Sequence, residues 1–151
     1  MYQCNSVTVY QRKIFDIQVY KCTLTDMTSD SPLREKTYKF ASQVVILCKK
    51  IQEDQREYIL TKQLIKSATS VGANLEEAQQ AESRKDFISK ISISIKEAYE
   101  SRYWLRLLRD AKYAETSELE KLLSDIQEII VIFGASINTA KKNLNKTCVD
   151  S

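Results

Sequence analysis

Residues 70–108 read SVGANLEEAQQAESRKDFISKISISIKEAYESRYWLRLL, and this stretch decides the fold. Ser83, with Asp86 three residues on, has the spacing of a helix cap. From there Phe87, Ile88, Ile91, Ile95, Ala98 and Leu105 share one face at 100° per residue, while Ile93, Trp104 and Leu107 fall on the other side. A helix apolar on two sides needs two partners, one of them the core of its own chain.

The same spacing extends in both directions. Ser31 and Pro32 open a first helix, proline being tolerated where its missing N–H would be unpaired anyway. Leu33, Thr37, Phe40, Ala41, Val44, Leu47, Cys48 and Ile51 then form one face, ending near Glu53. Asp54 with Glu57 predicts a capping box for a second helix through Leu60, Leu64, Ala68, Val71, Leu75 and Ala78 to about Ala81. Ser117 with Glu120 predicts a fourth, carrying Leu119, Leu122, Leu123, Ile126, Ile130, Phe133, Ile137, Ala140 and Leu144. Long helices on short connections predict an all-α, antiparallel up-and-down four-helix bundle over residues 31–146, with 147–151 as a tail.

Composition agrees. The 151 residues are enough for one cored domain, 43% are hydrophobic and 28% charged, and with 2 glycines and 1 proline little is left for tight turns. Residues 1–30 differ: VTVYQRKIFDIQVYKCTLTD roughly alternates, without helical period. It is expected to be non-helical, and a hairpin, a disordered arm or a non-native upstream extension, with Met27 as the true start, all stay open. No run approaches the roughly 18 apolar residues of a membrane span and no secretory h-region opens the chain, so the cytoplasm is the expected location, with no membrane partner.

Ile93, Trp104 and Leu107, with Val131 and Ile132 off the core line of the fourth helix, exceed what one interior can hold. Burying such a side chain contributes on the order of 1.5–3 kcal/mol, so these five are the expected interface of a homo-oligomer rather than a water-facing surface. Cover by residues 1–26 is the alternative.

Candidate chemistry is thin. The four cysteines Cys4, Cys22, Cys48 and Cys148 lack metal-ligand spacing, and the chain has no histidine. Cys48 lies on an apolar face without an activating base, Ser89, Ser92 and Ser94 have no general base in reach, and Gly72 is read as a close helix approach. Glu76, Glu77, Glu97 and Glu100 on adjacent helices are the material for a carboxylate-only magnesium or manganese site, which is the enzyme alternative. Asn74, Glu77 and Arg102 are expected as structural polar groups, Asn74 bonding backbone or third-helix side chains near Arg102. No cofactor is expected.

The third helix, from Ser83 to Lys112, carries eight basic residues against four acidic ones, in a chain of net charge +3. Arg84, Lys85, Lys90, Arg106, Arg109 and Lys112, with Lys141 and Lys142 of the fourth helix, are the expected phosphate contacts for RNA or DNA. No base-reading motif is present, so no sequence preference is expected.

Together LTKQLIKSATS and the run that follows closely resemble the four helix bundle protein family, the large-subunit ribosomal RNA intervening-sequence proteins. The features that carry the resemblance are Ser70 to Asn74, the acidic pair Glu76 and Glu77, Ser83 to Phe87, Lys96 to Ala98, and Arg102 to Leu105, within a match over about 32–145. The resemblance implies a bacterial protein whose left-handed bundle assembles into a ring, commonly a pentamer. It also implies a more distant, fold-level similarity to the accessory variability protein of diversity-generating retroelements, a basic pentamer that binds nucleic acid and a reverse transcriptase. The expected function is a non-enzymatic oligomeric scaffold or adaptor that binds RNA or DNA and an associated protein.

Overall fold

The computed structural model describes residues 32–147, with side chains as far as Asn138, and holds four helices around one apolar core. Residues 1–31 and 148–151, and the side chains of Lys141, Lys142, Ala140 and Leu144, lie outside the described residues. The expectations for the N-terminal segment, the Ser31 cap and the tail therefore fall outside them too.

Helix α1, Pro32–Gln55, buries Leu33, Thr37, Phe40, Val44, Leu47, Cys48 and Ile51, the expected line, with Ala41 half-buried at its margin. It runs two residues past Glu53, so Asp54 still belongs to α1 and cannot cap the next helix. Arg56 then takes a left-handed φ of 55° to end it. Helix α2, Ile59–Gln79, is capped instead by Glu57, whose carboxylate accepts from the backbone N–H groups of Ile59, Leu60 and Thr61 at 2.9, 2.8 and 3.0 Å.

Partial burial would raise the Glu57 pKa, but those amides and the Thr61 side chain outweigh it and hold the carboxyl below its ordinary value of 4.5. A carboxyl depressed in the folded state stabilises above its unfolded pKa and loses that contribution as pH falls through the folded one. Glu57→Gln should therefore cost about 1 kcal/mol at pH 7 and little at pH 3, read from urea midpoints at the two pH values.

Helix α3, Arg84–Asp110, starts as the sequence predicts, Ser83 Oγ accepting from Asp86 N at 3.1 Å. Its buried line is Ile91, Ser94, Ala98, Ser101, Leu105 and Leu108. Phe87, Ile88 and Ile95, expected in the core, are half-buried, and two serines take interior places. Helix α4, Thr116–Thr147, begins one residue before the expected Ser117 cap. The Glu115 carbonyl accepts from Glu118 and Leu119, and Glu120 is engaged by Arg109. It buries Leu119, Leu122, Ile126, Ile129, Ile130, Phe133, Ser136 and Ile137.

Named contacts order the helices. Between α1 and α2, Gln52 Nε2 donates to Thr61 Oγ1 at 2.9 Å, and Arg34 pairs with Glu76. Between α2 and α3, Ser101 Oγ donates to Ser67 Oγ at 3.0 Å, Ser94 Oγ to the Val71 carbonyl at 3.1 Å, and Lys90 pairs with Glu77. Arg109 to Glu120 at 2.8 Å and Arg102 to Gln127 at 2.5 Å join α3 to α4. Lys36 to Glu128, and Lys50 to Glu118 at 3.8 Å, join α4 back to α1. In each pairing the residue number climbs along one helix as it falls along the other. The ion pairs are exposed and set register more than stability, at about 0–1 kcal/mol each.

The closest seam is α2 against α3, where Ser67, Ala68, Ser94, Ala98 and Ser101 are all fully buried. Gly72 is not part of it. A Cβ there would sit 3.6 Å from Thr37 Oγ1 and 3.8 Å from Thr37 Cβ of α1, ordinary contact distances, so close approach does not require the glycine. Gly72→Ala should raise stability by about 0.5–1 kcal/mol through the lost helix penalty, visible as a higher Tm.

Candidate nucleic-acid interface

Basic residues concentrate on one side of α3. Lys85, Lys96, Tyr99, Arg102, Tyr103 and Arg106 fall within about 120° of arc at 100° per residue, on the side turned away from the core line. Asp86, Glu97 and Glu100 lie outside that arc, whereas Asp110, the last residue of the helix, lies inside it and pairs with Arg109. Lys85, Lys96 and Arg106 are exposed and meet no carboxylate among the described residues. Arg102 donates to Gln127 and holds its guanidinium 4.8 Å from the Tyr99 ring centroid.

The other expected phosphate contacts divide. Arg84 stands exposed at the start of α3, and Lys112 follows its end at a left-handed φ of 59°. Lys90 is turned toward α2, where its ion pair with Glu77 raises its pKa and occupies its charge. Arg109 is held by Asp110 and Glu120. Lys141 and Lys142 lie outside the described side chains. The surface is thus narrower than the charge count predicted, and it includes two tyrosines that the charge reading passed over. Their signal was the 96, 99, 103, 106 spacing.

Of the two settings expected for Asn74, backbone or the third helix near Arg102, the structure shows the backbone one. Asn74 Nδ2 donates to the Ser70 carbonyl of its own helix at 2.8 Å, Glu77 serves Lys90, and Arg102 reaches α4 rather than Asn74. Nor do the four carboxylates converge. Glu76 faces Arg34 and Glu77 faces Lys90, while Glu100 accepts from Trp104 Nε1 at 3.1 Å. Glu97 has its pKa raised by burial first and by the Glu100 charge second, against Lys66. Among the described residues no three metal-binding side chains gather. Cys48 is buried, and burial followed by the Glu57 charge pushes its thiol up to about 12, a protonated and unreactive state.

The five surplus apolar residues occupy different settings. Ile93 is 37% exposed. Leu107 and Val131 are half-buried, and Trp104 and Ile132 are half-buried against the core of their own chain. Trp104 also meets Tyr103 edge-on, ring centroids 5.0 Å apart. A larger apolar surface lies on α1, where Tyr38 is 76% and Ile46 68% exposed, beside Val45. They rim a groove of about 500 Å³ floored by Ala41, Gly72 and Ala73. The sequence reading assigned these residues to no surface, because it followed only the inward line of α1.

The model of the 23S rRNA-intervening sequence protein family matches residues 29–135. A crystal structure of a protein of unknown function from the S23 ribosomal protein family of Bacteroides thetaiotaomicron VPI-5482 is similar at 40% identity. The match covers 67% of this chain and 94% of that one, with a TM-score of 0.66. No curated protein matches.

Proposed function

Because the chain belongs to the 23S rRNA-intervening sequence protein family, we propose that it is a non-enzymatic scaffold whose basic α3 surface binds RNA or DNA without sequence preference. The observation that carries this reading is the clustering of basic charge on α3, where Lys85, Lys96 and Arg106 stand unpaired on one arc while Asp86, Glu97 and Glu100 lie off it and Asp110, at the helix end, is paired with Arg109. A bundle surface serving only solubility would intersperse the two signs. The antiparallel up-and-down course belongs to this proposal and is supported by the opposed numbering of the paired residues in all four seams.

Self-association is the second part, with copies of the chain closing into a ring, a pentamer by family resemblance. Its support is the apolar surface left in water by a single copy, chiefly Tyr38 and Ile46, with Ile93 on α3. A scaffold of this kind acts in the cytoplasm beside an associated protein. The enzyme alternative draws no support from the carboxylates, since Glu76, Glu77 and Glu100 are each engaged by a different partner.

Fluorescence anisotropy against generic RNA and duplex DNA, at low and moderate salt, tests the binding. Lys96→Glu with Arg106→Glu should abolish it, and no binding at low salt by the unaltered chain would end the proposal. Light-scattering mass tests assembly, a monomer at all concentrations being the refuting result.

A further inference from the structure

We infer that the outer face of α3 is a platform for single-stranded nucleic acid, on which unpaired bases stack against Tyr99 and Tyr103 while Lys96 and Arg106 hold the flanking phosphates; this rests on the nucleic-acid reading above. Tyr99 is 48% and Tyr103 54% exposed, two large rings left in water on a charged face. They stand at i and i+4, with Lys96 three residues before the first and Arg106 three after the second, so cation, ring, ring and cation follow one another along one ridge. The Arg102 guanidinium lies over one face of the Tyr99 ring, 4.8 Å from its centroid, as a third cation, so a base at Tyr99 stacks on the opposite face.

The chemistry of the ridge selects the partner. An apolar helix would leave the three cations without counter-charge, an anionic lipid surface would meet them with phosphate but offers no π-face for the rings, and an acidic peptide has carboxylates for the cations but no regular row of π-faces for the two rings. A nucleic acid supplies both, phosphate for the cations and a π-face for each ring. Strandedness follows from spacing. The two tyrosines are about 6 Å apart along the helix axis, four residues at 1.5 Å. Bases of a duplex strand repeat at about 3.4 Å, with both faces already covered by their neighbours. An unpaired strand has free faces and can open its bases to meet two separated rings.

The test uses the full chain and end-labelled oligonucleotides of one length: single-stranded RNA, single-stranded DNA and the DNA duplex, each titrated at several salt concentrations. Single strands should bind more tightly than duplex, and tighter binding of one single strand would name which sugar the site prefers. Tyr99→Ala and Tyr103→Ala should each weaken single-strand binding by roughly tenfold or more. Tyr→Phe should retain it, and Tyr→Leu, which keeps bulk without a ring, should not. Lys96→Ala and Arg106→Ala should each reduce the single-strand salt slope by about 0.7. Helicity by circular dichroism should be unchanged in all of them, the residues being exposed. Equal affinity for duplex and single strand, with the alanine variants binding as the unaltered chain does, would overturn the stacking inference and leave the charge-based proposal standing. Failure to bind any of the three at low salt would overturn both.

Discussion

Phe133→Ala should destabilise the fold by about 3–5 kcal/mol, the loss measured as a fall in the urea midpoint at unchanged m-value. Phe133 is 0% exposed in the middle of α4, so truncation leaves a cavity that its neighbours cannot fill. Phe87 is the matched comparison. It sits on the core face of α3, where the sequence places it fully inside, but it belongs to the first turn of the helix and is only half-buried. Phe87→Ala should therefore cost about 1–2 kcal/mol, since less apolar area returns to water and less cavity is created. Equal losses at the two positions would mean that the core continues over the first turn of α3.

Ser101→Leu should be the most damaging change that adds rather than removes apolar bulk, at about 1–3 kcal/mol. The Ser101 side chain is fully buried at the closest helix seam, its hydroxyl oxygen 2.8 Å from the Glu97 carbonyl and 3.0 Å from Ser67 Oγ. A leucine there must push α2 and α3 apart or leave its rotamer. Ser101→Ala removes only the hydroxyl bonds and should cost less, about 0.5–1.5 kcal/mol. The order leucine worse than alanine is the diagnostic, because a simple shortage of hydrophobic burial would give the reverse.

Helix number, order and approximate ends were legible in the sequence because apolar side chains at three- and four-residue spacing have no other way to leave water together. The Ser83 cap was legible for a local reason, the partner being three residues away. On α3 the expected inner face holds, with Ile91, Ala98 and Leu105 buried and Phe87 and Ile95 packed half-buried against the core, but its extent was misjudged. Counting apolar residues put Ile88 fully inside, where it is only half-buried, and passed over Ser94 and Ser101, which line the seam as small side chains whose hydroxyls are satisfied by a neighbouring carbonyl or hydroxyl. Hydropathy assigns such serines to the surface; packing distance puts them in the interior. The cap of α2 failed because Asp54 and Glu57 offer equally good spacing and only the length of α1 decides between them. Of the proposed interface, the charge was legible but its pairing was not, since Lys90 and Arg109 find their carboxylates on other helices.

The four seams are unequal, and that sets how the molecule breathes. Where α2 meets α3 small, fully buried side chains let the helices come close, whereas α1 faces α4 across clefts of about 280 and 140 Å³, lined by Lys36, Lys39, Gln43, Ile46, Lys121 and Asp125. Local opening takes the path with least apolar surface to expose, so α1 can lift from α4 while the α2 and α3 hairpin stays closed. Amide protons of α1 should then exchange with deuterium through sub-global fluctuation, and those of Ser67 to Val71 and Ser94 to Ser101 only when the whole chain unfolds.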